Sequence, residues 1–304
     1  LAYQQTAHRA DLCGGQQPGP GRTDPGKQLT MNNDHPPMLI AVAPNGARRR
    51  RSDHAALPIT PHELARTARS CLEAGACMLH LHVRNAMEQH SLEPEDYRPA
   101  LAAIRAEVGD ELLVQVTSEA ARVYQPDQQL RSLLALQPES ASLALRELLP
   151  DAEAVEKSAP VLTRLAEAGT LLQYILYSPA ELQRFNQLML DGALPKGQQF
   201  LLFVLGSFDK AATDHQALAA FVAHTRPEHS WMCCAFGPAE TTIMCEVARL
   251  GGHARVGFEN NLQAPDGSVV ANNATLVRLA VEQAKAAGRP TATAADARRH
   301  LRGN

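Results

Sequence analysis

The stretch Met78-Leu-His-Leu-His-Val-Arg84 alternates residue by residue. In an extended chain Met78, His80, His82 and Arg84 fall on one face, and Leu79, Leu81 and Val83 on the other. Twice the strand rise separates His80 from His82 by about 7 Å, close enough for both imidazoles to reach one metal ion. Upstream, Leu72-Glu-Ala-Gly-Ala-Cys77 reads as the end of a helix; downstream, Asn85-Ala-Met-Glu-Gln-His-Ser91 reads as polar loop. The histidines therefore stand at the C-terminal end of a strand that follows a helix, which is where α/β folds place chemistry. A His-x-His pair alone is also what a half-buried polar strand face looks like. A third ligand has to come from elsewhere.

Outward from this stretch, short apolar runs alternate with amphipathic segments. Strands are expected over 38–43, 112–117, 140–145, 171–177, 200–205, 230–235 and 253–258. Helices are expected over 61–74, 93–108, 127–136, 152–168, 179–191, 215–224, 238–250 and 273–287. Thr60-Pro-His-Glu63 and Ser178-Pro-Ala-Glu181 are helix starts, each with a capping hydroxyl, proline at the first position and an acid in the first turn. With the His-x-His strand this makes eight strand–helix units in about 260 residues, which argues for a closed (β/α)8 TIM barrel over an open doubly wound sheet. No Gly-x-Gly-x-x-Gly or P-loop sequence occurs to favour the open alternative.

Composition agrees. The 304 residues suit one such barrel, and 45% hydrophobic residues with only 4% aromatics give a core of aliphatic side chains. A net charge of -3 speaks against nucleic-acid binding, and no apolar run reaches the length of a membrane span. Cys13, Cys71, Cys77, Cys233, Cys234 and Cys245 fit neither a disulfide framework nor a Cys-type zinc site. They read as buried small hydrophobes of a reducing, cytoplasmic setting, although Cys233 and Cys234 could line a site. Residues 1–30, rich in Gln, Gly, Pro and Asp, read as an irregular or disordered extension ahead of a catalytic domain over 31–304.

In a barrel the C-terminal strand ends meet on one face. That face collects Asn45, Gly46 and Arg48; His80, His82 and Arg84; Gln115, Thr117, Ser118 and Glu119; Ser142; Gly206, Ser207 and Asp209; and Arg255, Gly257, Glu259, Asn260 and Asn261. Glu259 is the natural third ligand, since two imidazoles and a carboxylate leave one position open on zinc. Arg255 either supplies fixed positive charge for a carboxylate or thioester substrate, or closes the barrel as an ion pair with Glu259. The residues alone leave both open.

The order and spacing of several stretches resemble the β-keto acid cleavage enzyme family, typified by the 3-keto-5-aminohexanoate cleavage enzyme. They are Ala43-Pro-Asn-Gly-Ala47 with Leu57-Pro-Ile-Thr-Pro61, Glu73-Ala-Gly-Ala76 running into His80-Leu-His-Val-Arg84, Pro138-Glu-Ser-Ala-Ser-Leu143, and Gly251-Gly-His-Ala-Arg-Val-Gly-Phe-Glu-Asn-Asn261. Phe203-Val-Leu-Gly206 and Asn273-Ala-Thr-Leu-Val277 add to the likeness, which spans residues 38–302. The resemblance implies one Zn2+ on His80, His82 and Glu259. It implies a β-keto acid reacting with acetyl-CoA to give acetoacetate and a new CoA thioester, in a homo-oligomer, commonly a tetramer. Arg255 matches the family arginine that offsets developing charge. Thr117 stands for a serine near the keto acid, and Ser142 for a threonine that positions its carboxylate. Asn45, Gly46 and Ser118 join them as substrate-binding candidates.

Three departures qualify the likeness. Arg48 replaces a glutamate that holds the substrate's amino group, which points to an anionic or neutral polar tail; the run Arg48–Arg51 could alternatively be a solvated face or meet CoA phosphates. Asn260 replaces an aspartate assisting proton transfer, and an amide is no general base. Glu119 and Glu240 are possible substitutes. Ala235-Phe-Gly-Pro238 replaces Gly-Ile-Gly-Arg and loses a ligand-contacting arginine. The other readings are a zinc-dependent aldolase or lyase that needs no CoA, and a catalytically impaired homologue that binds ligand without turnover.

Overall fold

The structure, a computed structural model, describes residues 35–209 and 215–303. The expected extension over 1–30, and Cys13 within it, lie outside the described residues. Eight parallel strands close into a barrel: β1 (Ile40–Val42), β2 (Met78–Leu81), β5 (Leu113–Thr117), β6 (Ser140–Ala144), β7 (Leu171–Leu176), β8 (Gln199–Leu205), β9 (His229–Ala235) and β10 (His253–Val256), with β10 pairing back onto β1. This is the (β/α)8 barrel that the alternation predicts.

The alternation decides the layers. Leu79, Leu81 and Val83 belong to the outer core between strands and helices, while Met78 joins Leu39, Ala41, Leu113, Phe200, Leu202 and Met232 inside the barrel. Helices α1 (Pro61–Glu73) and α6 (Pro179–Leu190) begin at the expected caps. Thr60 and Ser178 accept the backbone N–H of Glu63 and Glu181 at 3.3 and 3.2 Å. Each such cap contributes about 1 kcal/mol.

Three elements escape the sequence reading. The segment expected as polar loop after His82 folds into a hairpin of β3 (Val83–Arg84) and β4 (His90–Ser91). A single-turn helix, α4 (Leu145–Leu148), follows β6. The last helix is not α9 (Asn273–Ala286) but α10 (Ala294–Arg302). Its surface is almost wholly polar, so only Ala294, Ala297 and Leu301 betray it. Ala297 and Leu301 enter the interior cluster and close the barrel floor, opposite the strand ends that carry the chemistry. The two elements predicted at the end of the barrel are shorter than expected. Helix α8 is Glu240–Arg249, and β10 stops at Val256 because Gly257 turns the chain away with φ +134°. A Cβ at Gly257 would lie 2.4 Å from the Ala43 carbonyl oxygen, so only glycine lets this turn press against β1.

Among the described residues, no helix is long and apolar enough to cross a membrane. The five described cysteines are free and buried, as their reading as core residues expects.

Candidate active site and metal centre

At the strand C-termini His80 and His82 both point into the barrel mouth. Their Nε2 atoms lie 3.0 Å apart. Glu259 Oε2 is 3.7 Å from His80 Nε2 and 3.5 Å from His82 Nε2. On a tetrahedral zinc with bonds near 2.0–2.1 Å, ligand atoms stand about 3.3 Å from one another. The three groups therefore have the spacing of a metal centre, and they form a cluster whose ligand atoms all lie within 4.8 Å of each other.

Hydrogen bonding behind His80 orients it for that task. Ser140 Oγ donates to the Leu171 carbonyl at 2.9 Å, so its oxygen accepts from Gln115 Nε2 at 3.3 Å. Gln115 Oε1 is then the atom facing His80 Nδ1, at 2.8 Å. The relay puts the proton on Nδ1 and leaves the Nε2 lone pair for a cation. Burial, with Arg255 next, pushes the His80 imidazolium down to about 3, so the ring is neutral and able to ligate at ordinary pH.

Glu259 is positioned by backbone and by glycine. Its N–H donates to the Ala43 carbonyl at 3.1 Å. Gly46, at φ +59°, leaves room for the glutamate side chain, since a Cβ there would come within 2.5 Å of Glu259 Cγ. Burial alone would raise the Glu259 carboxyl, but the Arg255 charge and the two imidazoles outweigh it and hold it well below the usual carboxylate range. Arg255 Nη2 donates to Glu259 Oε1 at 3.3 Å, and Oε2 is left buried with no hydrogen-bond partner. An unpartnered buried carboxylate oxygen facing two imidazole nitrogens is what a divalent cation would satisfy.

Arg255 does more than close the barrel. Its Nη2 also touches Cys234 Sγ at 3.4 Å, yet Nε and Nη1 are buried without partners. Two unsatisfied N–H donors on a permanent cation make a ready anion site. Cys234 thus does sit against the site, but burial pushes its thiol up to about 11 and it is no nucleophile at ordinary pH.

His80, Arg255 and Glu259 line a cavity of about 450 Å³ shared with Asn45, Gly46, Arg48, Thr117 and Glu119. Asn45 Nδ2 donates to the Pro58 and His82 carbonyls at 2.9 and 3.3 Å. Thr117 Oγ1 accepts the Glu119 N–H at 3.0 Å, which leaves its own proton to donate. Asn273 fastens the mouth from behind, donating to the Pro44 carbonyl at 3.1 Å and accepting the Phe258 N–H at 2.9 Å. Arg84 also serves from behind, with its guanidinium on the Gly46 carbonyl.

Besides His82, which meets the cavity only through its contacts to His80 and Glu259, three predicted site residues are not among the cavity's lining. Ser118 spends its hydroxyl on the Ser142 carbonyl at 2.8 Å. Ser142 Oγ is buried and unpartnered beside Thr117 in strand register. Asn260 is held by the tight turn from Gly257, its N–H on the Gly257 carbonyl at 2.9 Å, and both polar atoms of its amide are buried without partners. Of the two substitute acids, Glu119 lies in the cavity, its Oε2 3.9 Å from His82 Nε2, with burial raising its carboxyl. Glu240 is fully buried outside that lining, bonded by Asn261 Nδ2 at 3.2 Å and raised to about 8 by burial. The loops also bring in Arg122, Tyr177 and Phe236, and the single-turn α4 brings in Arg146 and Glu147. None is signalled by a motif; Phe236 alone lies in a stretch already marked, as a departure.

The family model for beta-keto acid cleavage enzymes matches residues 37–302. The chain belongs to the β-keto acid cleavage enzyme family. It is accordingly an enzyme, an acyltransferase. A 3-oxoadipate:acetyl-CoA acetyltransferase of Cupriavidus necator is 31% identical over 281 residues, covering 86% of this chain and 93% of that one. A 3-keto-5-aminohexanoate cleavage enzyme of Fusobacterium nucleatum is 29% identical over 280 residues, covering 87% and 97%. A solved structure of ObcA in ternary complex with a C4-CoA adduct and oxalate superposes with a TM-score of 0.65 at 16% identity, over 82% of this chain and 68% of that one; it bears on the fold alone. In this β-keto acid cleavage enzyme His80, Glu259, Arg255 and Arg48 line one cavity, and the Asn260 amide is buried outside its lining.

Proposed function

We propose that this β-keto acid cleavage enzyme uses one zinc ion, held by His80, His82 and Glu259, to convert a β-keto acid with an anionic tail and acetyl-CoA into acetoacetate and a new CoA thioester. The observation that carries the reading is the convergence of two imidazole nitrogens and a free carboxylate oxygen beside two free Arg255 donors at one cavity. Bound there, the metal supplies Lewis acidity toward the ketone.

Carbon 2 of a β-keto acid lies between two carbonyl groups, so its proton is acidic. Glu119 is assigned that proton, because it lines the cavity and an asparagine amide at position 260 cannot take it. Burial raises its carboxyl and so strengthens the base. Carbon 2 then bonds to the acetyl carbonyl carbon, and the CoA thiolate leaves. The thiolate attacks carbon 3, the bond from carbon 2 to carbon 3 breaks with its electron pair on carbon 2, and Glu119 returns its proton there, so that acetoacetate departs from the new thioester. Negative charge develops on the carbonyl oxygens throughout, where Arg255 Nε and Nη1 donate. Thr117 and Asn45 orient the keto acid, with Ser142 behind them. By the family likeness the enzyme is a cytoplasmic homotetramer.

The tail preference follows from Arg48. It is exposed at the cavity, as is Arg122, and neither makes an ion pair among the described residues. Arg146, by contrast, is taken by Glu181 at 2.7 Å and lies over the Tyr177 ring at 3.7 Å. The Cupriavidus relative named for 3-oxoadipate, a dicarboxylate, supports the same choice. Replacing Arg48 with glutamate is expected to lower kcat/KM for 3-oxoadipate by about 10²-fold or more and to improve 3-keto-5-aminohexanoate. An unchanged preference between the two substrates overturns the assignment.

A further inference from the structure

A second groove, of about 840 Å³, opens beside the catalytic cavity and shares Ala47, Arg48, Arg49 and Ala121 with it. Its walls are three loops: the one after β1, the hairpin of β3 and β4, and the one after β5. Four arginines line it, Arg48, Arg49, Arg50 and Arg84, against one acid, Glu88.

That acid is already neutralised by Arg51 at 2.9 Å. Two of the arginines are spent on the fold: Arg84 is buried against backbone carbonyls, and Arg49 donates to the Phe258 carbonyl at 3.0 Å while lying over the Phe208 ring. Arg48 stands between groove and cavity and faces the substrate tail. Arg50 belongs to the groove alone, is exposed, and makes no ion pair among the described residues. Beside this charge the groove has an uncovered apolar side. Met87, on the hairpin, is 71% exposed, and Val123, on the loop after β5, is 66% exposed. Glu88, Ala121 and Arg122 all hold positive φ without being glycine, so the two loops that carry this side are locally strained, a feature that gathers where ligands are gripped.

We propose that this groove binds the nucleotide end of acetyl-CoA, with Arg50 on its phosphates and Met87 and Val123 under the adenine. A thioester placed in the cavity leaves its pantetheine arm and nucleotide to run outward, and this groove is continuous with the cavity at the arginine-bearing loop. Phosphate groups match guanidinium forks, and adenine matches an apolar ledge. The inference rests on the acetyl-CoA reading above, and its test separates the two.

Calorimetric titration of the purified enzyme with CoA, with Arg50→Glu and Arg50→Gln compared to wild type, reads the groove directly. Arg50 is exposed, so either variant is expected to fold. Expected are a loss of CoA affinity of about tenfold or more in Arg50→Glu, a smaller loss in Arg50→Gln, and a salt dependence shallower in both than in wild type. In turnover, the preference of wild type for acetyl-CoA over S-acetylpantetheine, which lacks the nucleotide, is expected to shrink in both variants. Equal CoA affinity in wild type and Arg50→Glu overturns the groove even when acetyl-CoA is turned over. No CoA binding by wild type also overturns it. Arg50-dependent CoA binding without acetoacetate formation from any β-keto acid leaves the groove standing and removes the proposed reaction.

Discussion

Replacing both His80 and His82 with alanine is expected to reduce bound metal from about one ion per chain to a trace and turnover by at least about 10³-fold, since Lewis-acid stabilisation is worth several kcal/mol. The two imidazoles face each other across 3.0 Å with Glu259 Oε2 completing the triangle, and among the described residues no other such cluster of ligand atoms occurs. Elemental analysis of wild type and variant checks the first part. Thermal melts check the second: a chelator is expected to lower the melting temperature of wild type and to leave the variant unmoved, because a ligand that binds only the folded chain stabilises it by mass action. Wild-type protein without metal after loading with zinc, or a variant that binds as well as wild type, contradicts the assignment.

The second large effect is at Arg255. Changing it to methionine is expected to lower kcat by about 10²–10³-fold, the range seen when one donor to a developing oxyanion is removed. Metal content should stay near the wild-type value, because the ligand atoms of His80, His82 and Glu259 are untouched. The melting temperature of the metal-free variant should fall more than that of the loaded one. Without the guanidinium, Glu259 is a buried carboxylate whose remaining compensation is the cation, and an uncompensated buried charge costs about 3–5 kcal/mol. Lysine at 255 restores charge but not the planar fork, and is expected to recover stability better than rate. Full activity in Arg255→Met would reduce the residue to the ion pair that the sequence also allows.

Much of this was legible in the chain because it depends on local period. The alternation from Met78 to Arg84 fixes which side chains enter the barrel, and the histidines are found facing inward as that period requires. Glu259 was legible because it follows the last strand by a short turn. What a local pattern cannot carry is the direction of a side chain after a tight turn. Glu259 and Asn260 are neighbours, yet Glu259, with its N–H on the Ala43 carbonyl, turns its side chain into the cavity, and Asn260, with its N–H on the Gly257 carbonyl, leaves its amide outside the lining. Arg122 lines the cavity only because Ala121 and Arg122 take left-handed conformations, which nothing in their residue types announces. Gln115 was visible at a strand end, but its role appears only when β5 lies between β2 and β6, bringing Ser140 and His80 to its two ends. The floor helix α10 was missed because its apolar side is short, Ala294, Ala297 and Leu301 in nine otherwise mostly charged residues, although Thr293 and Asp296 form a capping box like that of α1.

The most direct test follows carbon. Zinc-loaded enzyme is given 3-oxoadipate and acetyl-CoA labelled with 13C in both acetyl carbons, and the products are read by NMR. Expected are acetoacetate labelled at carbons 3 and 4, an unlabelled succinyl thioester of CoA, and neither product when acetyl-CoA is left out. Cleavage that proceeds without acetyl-CoA, or label retained in the CoA thioester, contradicts the proposed acyl exchange.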